Sequence, residues 1–260
     1  METYETIFKR EYERIKEIVQ HSDWYTTFAQ RHQDRTLFSK ATYLAYPHYK
    51  DTDITSRLTV AIFQKLLAND AVQLGDRGVV DYDAQRMPIE TIVIHHSHRA
   101  QGITKPELNA LHLLRLYVPV YQNMASSLER KEKATSIASG HFDDNGKQVF
   151  YGYHWKVGQN GEVERLLDDK AIGWHAGNRE VNKRSIAICI DDDLTDKHPT
   201  PAALEGAAKI IADYPQVTPT DLTIRAHCDI NTTTTCPGYK FNAEWKTVLL
   251  EKLTNNRSIK

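Results

Sequence analysis

Hydrophobic residues near the start of the chain recur every three or four positions, which is the spacing of an α-helix. Lysine, arginine and glutamate lie between them, so each stripe is typical of a helix with one face in a core. The stripes are Tyr4, Phe8, Tyr12, Ile15 and Val19, followed by Leu58, Ile62 and Leu66. This pattern predicts a mostly helical N-terminal region over residues 1–85, separate from a second domain over residues 86–260.

Aromatic residues are concentrated between the two helical stripes. Rings of this kind either pack the helical region onto the second domain or form an exposed surface that stacks on sugars. We expect packing, and the sequence assigns no further role to this region. The residues concerned are Trp24, Tyr25, Phe28, Phe38, Tyr43, Tyr46 and Tyr49. Two glycines at residues 75–78 mark the expected boundary with the second domain.

Farther along, the pattern changes to short apolar runs rich in β-branched residues. Residues 89–94 and 185–190 are apolar at successive positions, which is typical of central strands that are buried on both faces. Residues 149–157 and 162–166 flank a Gln-Asn-Gly turn and predict a hairpin. Residues 222–227 predict the last strand.

Helical segments separate these strands. Thr104 and Glu107 have the spacing of an N-cap residue and its partner in the first turn of a helix. Further helices are predicted over residues 120–138 and 202–212, and Asn242 is predicted to cap a C-terminal helix. Strands interspersed with helices predict an α/β fold, with a mixed central β-sheet flanked by helices.

Composition narrows the class of protein. The chain has 260 residues, 40% of them hydrophobic and 26% charged, with a formal net charge of −1. The small net charge therefore produces no strong electrostatic field that would attract nucleic acid or an anionic membrane. The sequence contains no apolar run long enough to span a membrane and no N-terminal signal peptide, so we expect synthesis in the cytoplasm. Three cysteines are too few for a disulfide framework.

Residues that could bind a metal lie at the ends of two predicted strands. His95, His96 and His98 follow the first strand, while His227 ends the last strand and Cys236 follows it. Alternation along a strand puts His95 on one face and His96 and His98 on the other, so the three histidines do not all face one ion. Two imidazoles and one thiolate suit tetrahedral zinc with a fourth position open for water. An open position is typical of a hydrolytic metal.

Five motifs in a fixed order connect these residues to a known family. They are residues 92–97 (IVIHHS), 151–155 (YGYHW), 173–178 (GWHAGN), 185–188 (SIAI), and His227 with the Cys-Pro-Gly at residues 236–238. In this order they resemble the zinc-dependent N-acetylmuramoyl-L-alanine amidases, the type 2 amidase family that includes phage lysis amidases and peptidoglycan recognition proteins. The resemblance covers roughly residues 88–253.

The resemblance implies a set of site residues. It selects His95, His227 and Cys236 as the zinc ligands. It also implies cleavage of the amide bond between N-acetylmuramic acid and the L-alanine of the stem peptide. Tyr153 matches the family's catalytic tyrosine, on a strand that faces the metal. Thr234 matches a second catalytic position, two residues before the cysteine.

Thr234 lies in a run of four threonines, and the loop is one residue longer than expected. Which of these threonines takes the catalytic position is therefore left open. His96, Trp174 and His175 match positions near the substrate, with His96 as a hydrogen-bonding neighbour of the metal site. Cys228 is expected to point away from it as an inert thiol.

Three functions are compatible with the sequence. The first is a peptidoglycan amidase of the phage lysis kind, which would act on the cell wall after holin-type release. The second is a non-catalytic peptidoglycan-binding module, and the third a cytoplasmic amidase that recycles muropeptides. The recycling branch resembles this chain less, because it carries glutamate and aspartate where Cys189 and Cys236 stand. The expected partner is peptidoglycan or a muropeptide, and the oligomeric state is left open.

Overall fold

A computed structural model describes residues 2–31, 54–75, 81–99, 102–118, 137–217 and 223–258. In chain order, the elements are α1 (Tyr4–Val19), α2 (Trp24–Gln30), α3 (Ile54–Ala68), a 3₁₀ turn (Asp83–Gln85), β1 (Thr91–His96), α4 (Lys105–Tyr117), β2 (His141–Phe142), β3 (Gln148–Val149), β4 (Trp155–Val157), β5 (Val163–Arg165), α5 (Arg179–Asn182), β6 (Ser185–Ile190), α6 (Pro201–Ala212), β7 (Ile224–Ala226), a 3₁₀ turn (His227–Asp229), a π-helical turn (Phe241–Trp245) and α7 (Lys246–Ser258).

The chain forms two compact units. The first contains Met1–Asp81 together with Thr104–Phe150, and the second contains Tyr82–Ile103 together with Tyr151–Lys260. These bounds differ from the expected domains, because the helix α4 and the hairpin β2–β3 belong to the N-terminal unit. The chain therefore enters the second unit, returns to the first, and enters the second again.

The core of the first unit is aromatic. The Trp24 ring contacts Phe28 edge-on and stacks on Tyr117 of α4, with ring centroids 5.8 and 5.9 Å away. The Trp24 indole N–H donates to the Gln73 carbonyl at 2.7 Å, and the Tyr117 hydroxyl donates to the Tyr25 carbonyl at 2.9 Å. Trp24, Tyr25 and Phe28 are all buried. The three rings pack within the first unit, and packing of the helical region onto the second domain stays a prediction.

Several sequence predictions lie outside the described residues. They concern Phe38, Tyr43, Tyr46, Tyr49, most of the boundary at residues 75–78 and most of the predicted helix over residues 120–138.

The second unit is built on a five-stranded mixed sheet with the order β5-β4-β6-β1-β7. β1 pairs in parallel with β6 and with β7, β4 pairs in parallel with β6, and β5 is antiparallel at the edge. Every residue of β6 is buried, which explains its continuous apolar sequence. The carboxyl ends of β1 and β7 meet at one edge of the sheet, so the residues that follow them are brought together.

Two helices cover one face of this sheet. Ile92 and Ile94 of β1 share a buried core with Leu204 of α6 and Trp245 and Leu249 next to and within α7. Side chains alternate along a strand, so His95 lies on the opposite face from these isoleucines. The central position of β1 therefore fixes the direction in which its terminal histidines point.

Thr104 and Thr200 are the N-caps of α4 and α6; each hydroxyl accepts a backbone N–H three residues later. The prediction that Asn242 caps the C-terminal helix is wrong. Asn242 lies within the π-helical turn, and its amide donates to Asp229 Oδ1 at 2.8 Å. The Phe241 and Trp245 rings pack with their centroids 4.5 Å apart. The C-terminal helical segment therefore begins before Asn242, with a π-helical turn that is wider than an α-helical one.

The predicted strand over residues 149–157 is also wrong as a single element. Gln148–Val149 pairs with β2 in the first unit, whereas Trp155–Val157 pairs with β5 and β6 in the second. The chain between them passes from one unit to the other, so Tyr153 lies just before a strand rather than on one. The β4–β5 hairpin itself is confirmed.

Candidate active site

Three potential metal ligands converge at the carboxyl edge of the sheet. His95 is near the end of β1, His227 directly follows β7, and Cys236 lies in the loop beyond it. One ligand atom from each of the three lies within 4.8 Å of the others, and Cys236 Sγ is 3.7 Å from His95 Nδ1. Zinc bonds of about 2.0–2.3 Å at tetrahedral angles place nitrogen and sulfur about 3.5 Å apart. The Sγ–Nδ1 distance is close to this value, and a donor set of two histidines and one cysteine suits zinc.

The other ring nitrogen of His95 is held by a buried chain of hydrogen bonds. His95 Nε2 is 3.0 Å from His175 Nδ1, and His175 Nε2 is 3.1 Å from the Ser185 hydroxyl. Burial lowers the pKa of both histidines well below the usual range, so both rings are neutral. A proton on His95 Nε2 leaves the lone pair on Nδ1 facing Cys236. Metal-binding histidines are commonly oriented in this way.

His175 therefore lies behind His95, and only 7% of it is exposed. Its neighbour Trp174 is 44% exposed. Of the two residues expected near the substrate in this loop, Trp174 is the one at the surface. Contact of either residue with substrate stays a prediction.

Backbone contacts fix the position of the thiol. The His96 N–H points to Cys236 Sγ at 3.4 Å, a contact that favours the thiolate over the thiol. The Cys236 N–H donates to the Thr234 hydroxyl at 3.2 Å, and the Cys236 carbonyl accepts the Cys228 N–H at 2.8 Å. Gly238 follows with φ +123°, and a Cβ there would lie 1.9 Å from the Leu194 carbonyl oxygen. Only glycine fits this close approach.

A second histidine pair lies next to the first site. His96, His98 and Cys236 also bring one ligand atom each within 4.8 Å of one another. His96 Nδ1, however, accepts the Leu194 N–H at 2.8 Å, so the proton of the neutral ring lies on Nε2 and points to His98 Nε2 at 2.5 Å. That nitrogen then offers no lone pair to a metal, which favours His95 as the ligand.

His96 thus has hydrogen-bonding partners on both ring nitrogens. Burial and the neighbouring His98 lower its pKa to about 2. It is 1% exposed, and its predicted contact with substrate stays a prediction.

The two predicted catalytic side chains lie close to the ligands. The ring centroid of Tyr153 is 5.0 Å from that of His95, and 9% of the residue is exposed. Thr234 is partly buried, and its hydroxyl accepts the Cys236 N–H. The neighbouring Thr233 hydroxyl donates instead to Asn231 Oδ1 at 2.7 Å. Their roles in catalysis stay predictions.

Sequence reasoning missed the buried His154. Its Nδ1 accepts the Ala187 N–H at 3.0 Å, and its Nε2 lies 3.1 Å from the Ala171 carbonyl, to which it donates. It thereby ties the loop that carries His175 to β6, and burial lowers its pKa to about 3. Only its place in the motif at residues 151–155 singled it out. Ser185 was likewise noticed only as the start of a strand.

The remaining cysteines take no part in this centre. Cys228 packs against the core that α6 and α7 cover, and burial raises the pKa of its thiol. Cys189 is buried on β6 and pairs in register with His95.

The fold and the site define the class of this protein. It is an α/β protein with a mixed sheet, and two histidines and a cysteine form a candidate metal site at the carboxyl ends of the parallel strands. A family model described as N-acetylmuramoyl-L-alanine amidase matches residues 85–239, more than half of the chain and all three candidate ligands. The chain belongs to this family. The family and the fold class predicted from the sequence are both confirmed.

Solved structures of similar proteins have low sequence identity to this chain. The N-acetylmuramoyl-L-alanine amidase LysC from Clostridium intestinale URNW is 19% identical, with 69% of this chain and 95% of that chain covered and a TM-score of 0.43. The Ph2119 endolysin from the Thermus scotoductus MAT2119 bacteriophage is 20% identical, with 68% and 92% covered and a TM-score of 0.43. Drosophila peptidoglycan recognition protein SD is 20% identical, with 68% and 86% covered and a TM-score of 0.38.

No curated protein matches the chain. Among the residues that the structure describes, none of the helices combines the length and the apolar character needed to cross a bilayer.

Proposed function

We propose that the protein is a zinc-dependent hydrolase that cleaves the amide bond between N-acetylmuramic acid and L-alanine in peptidoglycan. The observation that carries this proposal is the convergence of His95, His227 and Cys236 within the span that matches the amidase family. When bound, zinc would polarise the amide carbonyl and lower the pKa of a water molecule. The substrate would be peptidoglycan or a soluble muropeptide.

The protein's own contribution begins with the ligands. His175 and Ser185 hold the His95 ring in one tautomer and one orientation, so its Nδ1 is available without rearrangement. The His96 N–H stabilises the Cys236 thiolate. These contacts preorganise three donors and leave a fourth direction open for the reacting groups.

We assign Tyr153 the stabilisation of charge that develops on the amide oxygen. Its ring lies beside His95, and a phenol O–H is a suitable donor to an oxyanion. The Thr234 hydroxyl accepts the Cys236 N–H, and we assign Thr234 a supporting hydrogen bond to substrate. In this proposal His96 supports the loop around Cys236, and Trp174 contacts the substrate at the surface.

Digestion of purified peptidoglycan tests the reaction. The zinc-loaded protein should release stem peptides with a free alanine amine and create no new reducing sugar ends. Cys236→Ser should abolish both zinc binding and release, whereas the matched variant Cys228→Ser should retain both. New reducing ends without free alanine would identify a glycosidase instead. Binding of sacculi by a zinc-loaded protein that releases nothing would identify the non-catalytic alternative.

The form of peptidoglycan that the protein prefers indicates where it acts. Comparison of intact sacculi with soluble muropeptides separates an enzyme that lyses walls from one that recycles fragments. We propose the lytic role, after holin-type release, because Cys236 stands where recycling amidases carry aspartate. Faster turnover of soluble fragments than of sacculi would favour recycling.

A further inference from the structure

Large hydrophobic side chains are exposed in a cluster on the second unit. Seven such side chains are exposed among the described residues, and two aromatic ones, Tyr82 at 47% and Trp174 at 44%, are in contact. Met87, at 38%, lies in the same short segment as Tyr82. A grouping of exposed apolar residues marks an interaction surface more often than isolated ones do.

The two rings form a defined corner. Their centroids are 5.6 Å apart and their planes are at 89°, so the edge of one ring meets the face of the other. The Arg179 guanidinium lies 5.9 Å from the centre of the Tyr82 ring and donates to Gln85 Oε1 at 2.7 Å. Two aromatic surfaces are thus bordered by a planar cation and a planar amide.

Partly buried hydrogen bonds connect the two segments that form the corner. Arg86 donates from Nε to the Asp169 carbonyl at 2.9 Å, and from one terminal nitrogen to the Asn182 and Ser185 carbonyls at 2.9 and 3.0 Å. Asp83 Oδ1 accepts the Ile172 N–H at 2.7 Å. These contacts attach the segment that carries Tyr82 to the loop that carries Trp174. A preorganised surface loses little conformational entropy when it binds a ligand.

The corner lies next to the loop that leads to the candidate active site. Trp174 directly precedes His175, whose Nδ1 is 3.0 Å from His95 Nε2, the ring nitrogen on the side away from Cys236. The exposed Trp174 is thus the sequence neighbour of the buried histidine that contacts a candidate ligand. Tyr82 lies outside the span that matches the family, which begins at residue 85.

We propose that Tyr82 and Trp174 form a stacking platform for an N-acetylated sugar ring of the glycan strand, with Arg179 and Gln85 at its hydrogen-bonding rim. A pyranose ring has an apolar C–H face that suits aromatic rings, and hydroxyl and N-acetyl groups at its edge that suit guanidinium and amide groups. A stem peptide has no comparable flat apolar face. This inference rests on the proposed function, because it names the part of the substrate that lies beyond the reacting amide.

Binding of a glycan without any peptide tests the platform. The full chain, freed of metal by a chelator, should bind the β-1,4-linked tetramer of N-acetylglucosamine in a calorimetric titration. Tyr82→Ala and Trp174→Ala should each weaken this binding at least about tenfold, which corresponds to the loss of one good stacking contact. Tyr4→Ala removes a tyrosine of equal exposure in the other unit and should bind as the wild type does.

Saturation transfer from the protein's aromatic protons to the sugar C–H protons provides a second measurement on the unmodified chain. It should be strong in the wild type and weak in Trp174→Leu, so the test does not depend on one variant folding. Failure of the tetramer to bind, or equal binding by wild type and both platform variants, would overturn the proposal. Binding without any hydrolysis of peptidoglycan would instead remove the proposed reaction and leave the platform standing.

Discussion

His95 has two ring nitrogens, and its neighbours decide which of them carries the proton. Nε2 faces His175 and Nδ1 faces Cys236, so a proton on Nε2 leaves the lone pair on the side of the thiol. His96, which follows His95 in the chain, and His154, whose ring is 6.3 Å from that of His175, have both ring nitrogens engaged and take other roles. The chemistry of each imidazole in this cluster thus follows from its hydrogen-bonding partners rather than from its place in a motif.

Removing the end of the His175 chain should loosen the metal site. In Ser185→Ala the His175 ring loses its anchor, so zinc affinity should fall roughly tenfold or more, as it does for other partners of metal-bound histidines. Competition with a coloured chelator measures this affinity directly. Ser139→Ala, a serine of the first unit, is the control and should bind zinc normally. Unchanged affinity in Ser185→Ala would mean that His95 is oriented by packing alone.

Loss of the Tyr153 hydroxyl should slow the reaction. A donor that acts on the oxyanion works in the transition state, so Tyr153→Phe should lower kcat on the order of a hundredfold and change KM little. Zinc content and fold should survive, because the ring is kept. Tyr151→Phe, buried two residues earlier, serves as the control in steady-state assays of muropeptide cleavage. A full effect in Tyr151→Phe and none in Tyr153→Phe would reverse the assignment.

The buried His154 should make stability depend on pH. Its folded-state pKa of about 3 lies below the ordinary value of 6.5, so between these values the unfolded chain binds a proton that the folded chain does not. The free energy of unfolding therefore rises with pH in this window, and His154 alone should lower it by about 2 kcal/mol between pH 7 and pH 5.

Urea denaturation of the chelator-treated protein at both pH values measures this dependence. His154→Gln keeps one donor and one acceptor but does not titrate, so its stability should change less with pH than that of the wild type. Equal pH dependence in the two proteins would show that folding does not lower the pKa of His154.

At the scale of elements, sequence patterns predicted the strands, helices and caps that depend on interactions between residues close together in the chain. The β-branched run that forms β1, the Thr104 cap and the helix α6 follow from spacing and side-chain chemistry within a few residues. Residues 149–157 were misread because the two halves of an apolar run pair with strands in different units. Asn242 was misread because contacts of Phe241 and Trp245 with the distant core override a local capping signal.

The same limit applies to the candidate site. The three ligands were recognisable, since their chemistry and order resemble a family, whereas the His95–His175 contact joins residues 80 positions apart in the chain. The neighbours of His154 and the corner formed by Tyr82 and Trp174 likewise join segments far apart in the chain. No local pattern contains such information.

Gly238 is the residue on which the shape of the Cys236 loop depends most. Gly238→Ala would place a Cβ against the Leu194 carbonyl in a backbone conformation that alanine rarely adopts, so the loop must move. We expect a stability loss of about 1–3 kcal/mol and a clear loss of zinc affinity, measured by thermal unfolding and by chelator competition. Gly146→Ala has a positive φ with nothing near its Cβ and should lose stability without losing zinc. Normal zinc affinity in Gly238→Ala would show that the loop tolerates the shift.

At the scale of the whole molecule, the chain forms two units by crossing between them. The first unit has its own aromatic core around Trp24, and the second contains every candidate ligand. We propose that the first unit supports packing or targeting rather than chemistry. The expected boundary near residue 85 divides the chain once, whereas residues 104–150 belong to the first unit through contacts that sequence spacing does not reveal.

A cavity in the first core should weaken that unit and spare the metal site. Trp24→Ala removes a fully buried ring and its hydrogen bond to Gln73, at a cost of about 3–5 kcal/mol. Tyr4→Ala, at an exposed position, should cost little. Denaturant unfolding measures the loss, and zinc titration of the folded variant should give wild-type affinity. A parallel loss of zinc affinity would show that the first core supports the metal site.

The crossing of the chain also sets an order for folding during synthesis. Once Phe150 has left the ribosome, every segment of the first unit is available, and that unit can close. β1 is made earlier but pairs only with β6 and β7, both of which emerge later. An apolar strand destined for the centre of a sheet must therefore wait for its partners, and long-range parallel pairing of this kind is slow. The newborn chain is most prone to aggregate in that interval, when His95 has been synthesised and the other two candidate ligands, His227 and Cys236, are still to come.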